Sequence, residues 1–140
     1  MSKITSQPLK VILDSNALFT PLELKLDIFE ELHRLLKRNI DCVVIYPVKV
    51  ELELLANKET FKLRRQANFA LRLLAEKCKV VQVEVPDRAT TDDVIVKVAK
   101  NWNVPVFTND RQLKKRLRDI SLPVIYVRQK SHLEIDGLIT

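Results

Sequence analysis

The sequence predicts a three-layer α/β fold in which helices cover both faces of a parallel β-sheet. Short apolar runs such as Cys42 to Tyr46 are continuous, which is typical of strands that are buried on both faces. These runs alternate along the chain with longer segments of helical periodicity. The order β-α-β-α-α-β-α-β-α-β therefore indicates one parallel sheet built from right-handed crossovers.

The first strand is predicted from Lys10 to Asp14, where an apolar run stops at a carboxylate. A helix is expected from Thr20 to Arg38, because Thr20 and Glu23 match a capping box and Pro21 suits the first helical position. The same patterns predict a strand from Cys42 to Tyr46, helices from Pro47 to Glu59 and Thr60 to Lys79, a strand from Val80 to Val85, a helix from Asp92 to Trp102, a strand from Val104 to Thr108, a helix from Arg111 to Asp119 and a strand from Pro123 to Val127. The tail from Arg128 has no clear prediction.

The composition narrows the class of protein. The 140 residues are 46% hydrophobic and 30% charged, which predicts one globular domain over residues 1–140, with its core at about residues 9–128 and a poorly defined C-terminal tail. No window reaches the roughly 18 apolar residues of a membrane span and no signal-peptide core is visible, so we expect a cytoplasmic protein without a membrane partner. Cys42 and Cys78 are expected to be buried thiols.

The glycine content and the net charge indicate which kinds of ligand the protein can bind. Gly137 is the one glycine in the sequence, which excludes a glycine-rich phosphate-binding loop. The net charge of +6 suits a polyanionic partner, although many basic proteins simply have basic surfaces.

Acidic residues follow each of the first four predicted strands. Because the carboxyl ends of parallel strands meet at one edge of a sheet, we expect these acids to lie together. Each acid also has an ordinary structural explanation. Asp14 can form a turn with its own backbone, Asp110 or Asn109 can cap the following helix, and Asp93 suits the first turn of a helix.

Helical spacing distinguishes Glu51 from Glu53 in the segment after the second strand. Glu51 lies three residues after Val48 and is expected to face inward. Glu53 lies four residues after Lys49 on a solvated stripe, so we interpret it as a surface ion-pair residue.

The same reasoning separates the paired aspartates after the third strand. Asp92 lies one turn before Ile95 on the buried face and is expected to point toward the sheet. Asp93 instead completes a capping pair with Thr90. Asp92 is therefore the predicted ligand, and Asp93 is its alternative.

Four carboxylates at one place predict a metal site. Grouped carboxylates raise one another's pKa unless a cation compensates them. A set of oxygen ligands, with His33 and His132 elsewhere in the sequence, favours Mg²⁺ or Mn²⁺ over Zn²⁺. The predicted metal ligands and catalytic residues are Asp14, Glu51, Asp92 and Asp110.

The motifs that carry these acids resemble those of PIN-domain ribonucleases. They read VILDSN, VKVELELL, TDDVIVKVA and VFTNDRQLKKRL, and together they span about Val11 to Val127. The paired aspartates and the basic segment after the fourth acid are more similar to the ribosomal-RNA-processing branch than to the VapC-type toxins. The resemblance implies a five-stranded parallel sheet of order 3-2-1-4-5, cleavage of RNA with one or two Mg²⁺ or Mn²⁺ ions, and frequent homodimers.

Further residues are expected to bind or position the substrate. Asn16 and Thr108 could orient water or RNA beside the acids. Cations near the fourth acid and on the third helix are candidate phosphate contacts, although a solvated helix face explains any one of them equally well. These cations are Arg111, Lys114, Lys115 and Arg116, with Lys62, Arg64 and Arg65. Tyr46, Trp102 and Tyr126 are expected in the core, which gives base stacking little support.

Other families fit these motifs less well. A haloacid-dehalogenase-like phosphotransferase needs a second Asp where Asn16 stands, and a receiver domain needs an acid where the third predicted strand ends at Val85. Two alternatives within the family remain open: an RNA-binding ribosome assembly factor with little cleavage, and a toxin with a cognate antitoxin. A homodimer could bury Leu22, Leu24 and Leu26, but core packing explains these leucines equally well.

Overall fold

The structure is a computed structural model that describes residues 7–58 and 60–139. Glu59, where the second predicted helix ends, lies outside the described residues. The strands are β1 (Leu9–Leu13), β2 (Ile40–Ile45), β3 (Lys79–Val81), β4 (Val106–Phe107), β5 (Val124–Arg128) and β6 (His132–Asp136). The helices are α1 (Ser15–Leu24), α2 (Ile28–Leu36), α3 (Tyr46–Leu55), α4 (Phe61–Lys77), α5 (Thr91–Trp102) and α6 (Arg111–Asp119).

The six strands form one sheet in the order β3-β2-β1-β4-β5-β6. The first five are parallel, which confirms the predicted order 3-2-1-4-5 and places β1 in the middle of these five. The unassigned tail supplies the sixth strand, which pairs antiparallel with β5 over a register from Val124 opposite Asp136 to Arg128 opposite His132. The segment HLEID has only one fully buried residue, Leu133, so its sequence lacks the continuous apolar run of the inner strands.

The central strands are apolar because helices cover both of their faces. Val11, Ile12 and Leu13 are inaccessible to solvent, and Val44 and Ile45 of β2 are buried in the same way. Burial of both alternating sets of side chains requires apolar residues at consecutive positions. The core thus holds β1 rigidly, and the chain leaves it at Asp14.

The predicted helix from Thr20 to Arg38 is wrong, since the structure has two helices there. Helix α1 begins five residues earlier than predicted, because the Asp14 side chain accepts a hydrogen bond from the backbone of the first turn and acts as the N-cap. Pro21 therefore lies inside α1. A second cap, Asp27, begins α2 by accepting hydrogen bonds from two backbone amides.

Two strands are shorter than predicted. Strand β3 ends at Val81 instead of Val85, because its neighbour β2 ends at Ile45 and turns into α3, which leaves later residues without a pairing partner. Val85 is 53% exposed. Strand β4 covers only Val106–Phe107 of the predicted Val104 to Thr108.

No helix within the described ranges is long and apolar enough to cross a membrane.

Both cysteines are free thiols. Cys42 is buried as predicted, whereas Cys78 is only partly buried.

Candidate active site

Asp14 sits at the carboxyl end of the central strand and is 5% exposed. Its Oδ2 accepts hydrogen bonds from Thr108 Oγ1 at 2.5 Å and from Asn16 Nδ2 at 3.1 Å. Its Oδ1 accepts one from the amide of Ala17 at 3.2 Å. Three donors thus hold one buried carboxylate in a single orientation.

The environment of Asp14 disfavours its charge. Burial raises the pKa of this carboxyl from 3.8 to about 7, and the nearby charges of Asp92 and Asp110 add to the rise. The hydrogen bonds from Thr108 and Ala17 oppose it. A carboxylate kept in such a place is suited to a cation, because a positive charge would relieve both the burial penalty and the repulsion.

The structure distinguishes Asp92 from Asp93 in the way that helical spacing predicts. Asp92 is partly buried, and its pKa is raised by burial and by the charges of Asp110 and Glu51, while Arg116 opposes the rise. Asp93 forms the capping box with Thr90 and an ion pair with Arg116 at 2.9 Å. The Thr90 backbone amide and Arg116 lower the pKa of Asp93. Asp92 therefore belongs to the acid group, and Asp93 has structural partners.

Asp110 and its neighbours connect β4 to the start of α6. Asp110 is the N-cap of α6, and its Oδ1 accepts from the amides of Gln112 and Leu113 at 2.8 and 3.2 Å. Its own amide donates to Thr108 Oγ1 at 3.0 Å. Thr108 is fully buried and donates to Asp14, so one hydroxyl ties the two acids together.

Glu51 is exposed, and the prediction that it faces inward is wrong. The buried stripe of α3 consists of Val48 and Leu52, so Glu51 lies at its margin. Its Oε2 accepts a hydrogen bond from Thr91 Oγ1 at 2.5 Å, and its charge acts on Asp92. Glu51 therefore reaches the acid group from the solvent side, and Glu53 is exposed on the same helix.

The four acids match a hard divalent cation in donor chemistry, because all of them offer carboxylate oxygens. As the side chains lie, no three acidic, histidine or cysteine groups in residues 7–58 and 60–139 converge closely enough to hold one ion. The structure thus brings together the charges of these acids, while the carboxylates of Asp14, Glu51 and Asp110 accept separate hydrogen bonds.

The predicted basic residues divide by what they contact. Lys62, Arg65 and Arg111 are exposed. Arg64 donates to the carbonyl of Lys58 at 3.0 Å. The remaining cations pair within the protein: Lys114 with Asp136 at 3.7 Å and the ring of Tyr126, Lys115 with Asp119 at 2.9 Å, and Arg116 with Asp93.

Sequence reasoning missed the contacts that Thr91 and Asn109 make near the acids, and it misplaced Tyr46. Thr91 anchors Glu51, and its only signal was a second threonine before the paired aspartates. Asn109 bridges three segments: its side chain bonds to Thr20 and to the amide of Val127, and its amide donates to Asn16. Tyr46 lies at the start of α3 and is 39% exposed, so its predicted place in the core is wrong.

A family model described as a PIN like domain matches residues 11–130. The chain belongs to the PIN-like domain family. This match confirms the predicted resemblance. The candidate site of this PIN-like domain is built around the aspartate at the end of the central strand β1.

Two curated ribonucleases are similar to this PIN-like domain in sequence. Ribonuclease VapC4 of Methanocaldococcus jannaschii is 33% identical over 131 residues, which are 93% of this chain and 98% of VapC4. Ribonuclease VapC9 of Archaeoglobus fulgidus is 31% identical over 91 residues, which are 65% of this chain and 64% of VapC9.

Solved structures share the fold. The PIN domain endonuclease Utp24 superposes with a TM-score of 0.78 at 28% identity, over 94% of each chain. VapBC2 from Rickettsia felis, bound to a DNA fragment from its promoter, superposes with a TM-score of 0.61 at 16% identity, which shows the fold alone. Both VapC ribonucleases and Utp24 are thus similar to this PIN-like domain.

Proposed function

We propose that this PIN-like domain is a ribonuclease that cleaves RNA phosphodiester bonds with the help of Mg²⁺ or Mn²⁺. The observation that carries the proposal is the buried Asp14, whose pKa is raised to about 7 beside the charges of Asp92 and Asp110. A basic body around such an acidic group suits a polyanionic substrate. The ribonuclease and endonuclease names of the relatives support the same chemistry.

In the proposed mechanism, Asp14, Glu51, Asp92 and Asp110 would hold one or two divalent ions. A bound ion would polarise the phosphate and make water more acidic. Thr108 and Asn16 fix the orientation of Asp14, and its burial keeps bulk water from one side of the site. The exposed cations Arg111, Lys62 and Arg65 would contact phosphates and position the RNA without reading its sequence.

The first experiment measures cleavage of structured and unstructured RNA with Mn²⁺, with Mg²⁺ and with EDTA. EDTA should abolish cleavage, and Asp14→Asn should slow it by about 100-fold or more. Asp41→Asn is the matched control, since Asp41 forms a surface ion pair with Lys79 near the start of β2. Cleavage that survives both the chelator and Asp14→Asn would refute the proposal.

We propose an endonuclease role in ribosomal RNA processing as the cellular function. The paired Asp92 and Asp93 and the basic α6 support this role, and so does the similarity to the endonuclease Utp24 along almost the whole chain. Depletion of the protein should then cause a ribosomal RNA precursor to accumulate, and wild type but not Asp14→Asn should restore processing. If the protein is instead an RNA-binding assembly factor with little cleavage, Asp14→Asn should restore processing as well as the wild type does.

The second candidate function is a toxin with a protein antitoxin, which the similarity to VapC4 favours. A cleft of about 660 Å³ between α1 and α4 is lined by Leu22, Phe61 and Phe69, with Lys62 and Arg65 among its other walls. Phe61 is 71% exposed. An acidic segment with apolar side chains complements this cleft in both charge and hydrophobicity.

Expression tests separate the two functions. If the protein is a toxin, its expression should arrest growth. Co-expression of a small open reading frame that neighbours its gene should restore growth. Phe61→Asp should abolish this rescue, whereas Leu138→Asp, at a position 85% exposed elsewhere on the surface, should retain it. Growth without arrest, together with accumulation of precursor RNA on depletion, would favour the processing role.

We also propose that the protein is a homodimer, as its family resemblance implies. Leu22 and Leu24 at the end of α1 and Leu26 between α1 and α2 are partly exposed and offer apolar surface for a second copy. Light scattering should then give twice the chain mass of 16.2 kDa. A monomer mass at micromolar concentration would contradict this proposal.

A further inference from the structure

Cys42 and Cys78 lie opposite each other on neighbouring segments of the sheet. Val43 of β2 pairs with Lys79 of β3, so the residues that precede them, Cys42 and Cys78, continue the same parallel register. The backbone of Cys78 is extended, with φ −127° and ψ 163°. Paired residues of parallel strands lie about 4.8 Å apart and point to the same face, and this spacing falls within the range of about 4.4–6.8 Å between the Cα atoms of disulfides.

The two thiols act on each other's pKa, because a side-chain hydrogen bond between them lowers the pKa of the Cys42 thiol and raises that of Cys78. Cys42 is 8% exposed and lines a surface cleft of about 430 Å³ together with Phe29 and His33. The cleft therefore brings small molecules to Cys42, and the neighbouring Cys78 is partly exposed.

We propose that Cys42 and Cys78 are an oxidation site at which a peroxide converts the two thiols into an intramolecular disulfide between β2 and the start of β3. The Cys42 sulfur attacks a peroxide oxygen and the O–O bond breaks. Cys42 becomes a sulfenic acid, and one water molecule is released. The Cys78 sulfur then attacks the Cys42 sulfur, the S–O bond breaks, the S–S bond forms, and a second water leaves. The two sulfurs together lose two electrons, and the peroxide gains them.

The position of this pair gives the disulfide a structural consequence. Strand β3 has three residues and lies at the edge of the sheet, with Lys79 and Val80 exposed. It is held on one side only, so it is a natural place for local opening. A bond between Cys42 and Cys78 would close a ring that contains α3 and α4, which restricts the unfolded chain and fastens the edge strand.

The test treats the full chain with hydrogen peroxide, blocks the remaining thiols with an alkylating agent, and measures intact mass and disulfide-linked peptides. We expect a loss of about 2 Da, corresponding to two hydrogens, and one linked peptide pair that contains Cys42 and Cys78. The melting temperature should rise by about 10 °C and return after reduction with dithiothreitol. Amide exchange in residues 79–81 should slow at the same time.

Cys78→Ser and Cys42→Ser are the matched controls, and neither should gain stability from peroxide. The measurement on the wild-type chain decides the proposal even where a variant folds poorly. Four results would overturn it: both thiols remain open to alkylation, a thiol gains oxygen without forming a link, the link joins two chains, or the linked protein melts at the same temperature as the reduced one.

Discussion

The replacement Asp14→Asn should stabilise the protein at alkaline pH although it removes the central acid of the candidate site. In the unfolded chain Asp14 titrates near 3.8, whereas burial raises its pKa to about 7 in the folded protein. Between these values the folded state keeps a proton that the unfolded state has released. The free energy of unfolding contributed by Asp14 therefore falls as the pH rises from about 4 to about 7, and it stays low above that range.

The magnitude follows from the size of this pKa shift. Each unit corresponds to about 1.36 kcal/mol, so a rise of about three units predicts a loss of up to about 4 kcal/mol in the wild type. The Asp14→Asn side chain is uncharged and would escape this loss. Its amide oxygen can still accept from Ala17, but the Thr108 hydroxyl and the Asn16 amide lose Oδ2 as their acceptor, at about 1 kcal/mol each. Near pH 8 the variant should therefore be more stable by up to about 2 kcal/mol.

Urea unfolding of both proteins in EDTA, from about pH 4.5 to about pH 8.5, measures this difference. The stability of Asp14→Asn relative to wild type should increase across that range. Asp93→Asn is the control, because the Thr90 amide and Arg116 lower the pKa of Asp93 below its ordinary value of 3.8, so the stability difference for this variant should stay nearly constant over the same pH range. A stability difference for Asp14→Asn that does not change with pH would refute the reasoning.

Three further predictions concern cleavage and RNA binding. Thr108→Val removes the hydroxyl that lowers the pKa of Asp14, so the acid limb of the pH–rate profile should move to higher pH, and an unmoved limb would contradict this role. Glu51→Gln should reduce cleavage by about 10-fold or more while Glu53→Gln leaves it unchanged, and equal effects would show that Glu51 has no special place among the exposed acids of α3. Tyr46→Ala should weaken the binding of single-stranded RNA by about 10-fold, because the exposed ring would no longer stack on a base. Fluorescence anisotropy measures this affinity, with Asp14→Asn present in both proteins to prevent cleavage. An unchanged affinity would exclude base stacking on Tyr46.

The sequence predicted most of the candidate site because its geometry follows from topology and period. Asp14 ends a run of buried apolar residues, and parallel strands bring such ends to one edge. Helical spacing separated Asp92 from Asp93, and Asp93 forms the predicted capping box with Thr90. The proposed role of these acids as metal ligands remains a prediction.

The local errors had two causes. Several residues can serve as a helix cap, and helical spacing does not show how two helices lie beside each other. Thr20 and Pro21 matched a helix start, but the buried Asp14 lies closer to the end of β1 and caps α1 first. Glu51 was expected to face inward because it lies three residues after Val48, but the buried stripe of α3 consists of Val48 and Leu52. Its contact with Thr91 depends on how α3 lies beside α5, which helical spacing does not contain.

The sequence by itself determined the layered fold, the order of its first five strands and the acids that follow the first four of them, because these depend on apolar periodicity and on the handedness of crossovers. Only the tertiary structure decided the sixth strand, the network through Thr108 and Asn109, and the neighbouring positions of Cys42 and Cys78 in the sheet register. These features join segments that are distant along the chain, and whether two polar groups or two thiols meet depends on the exact packing of the strands and helices between them.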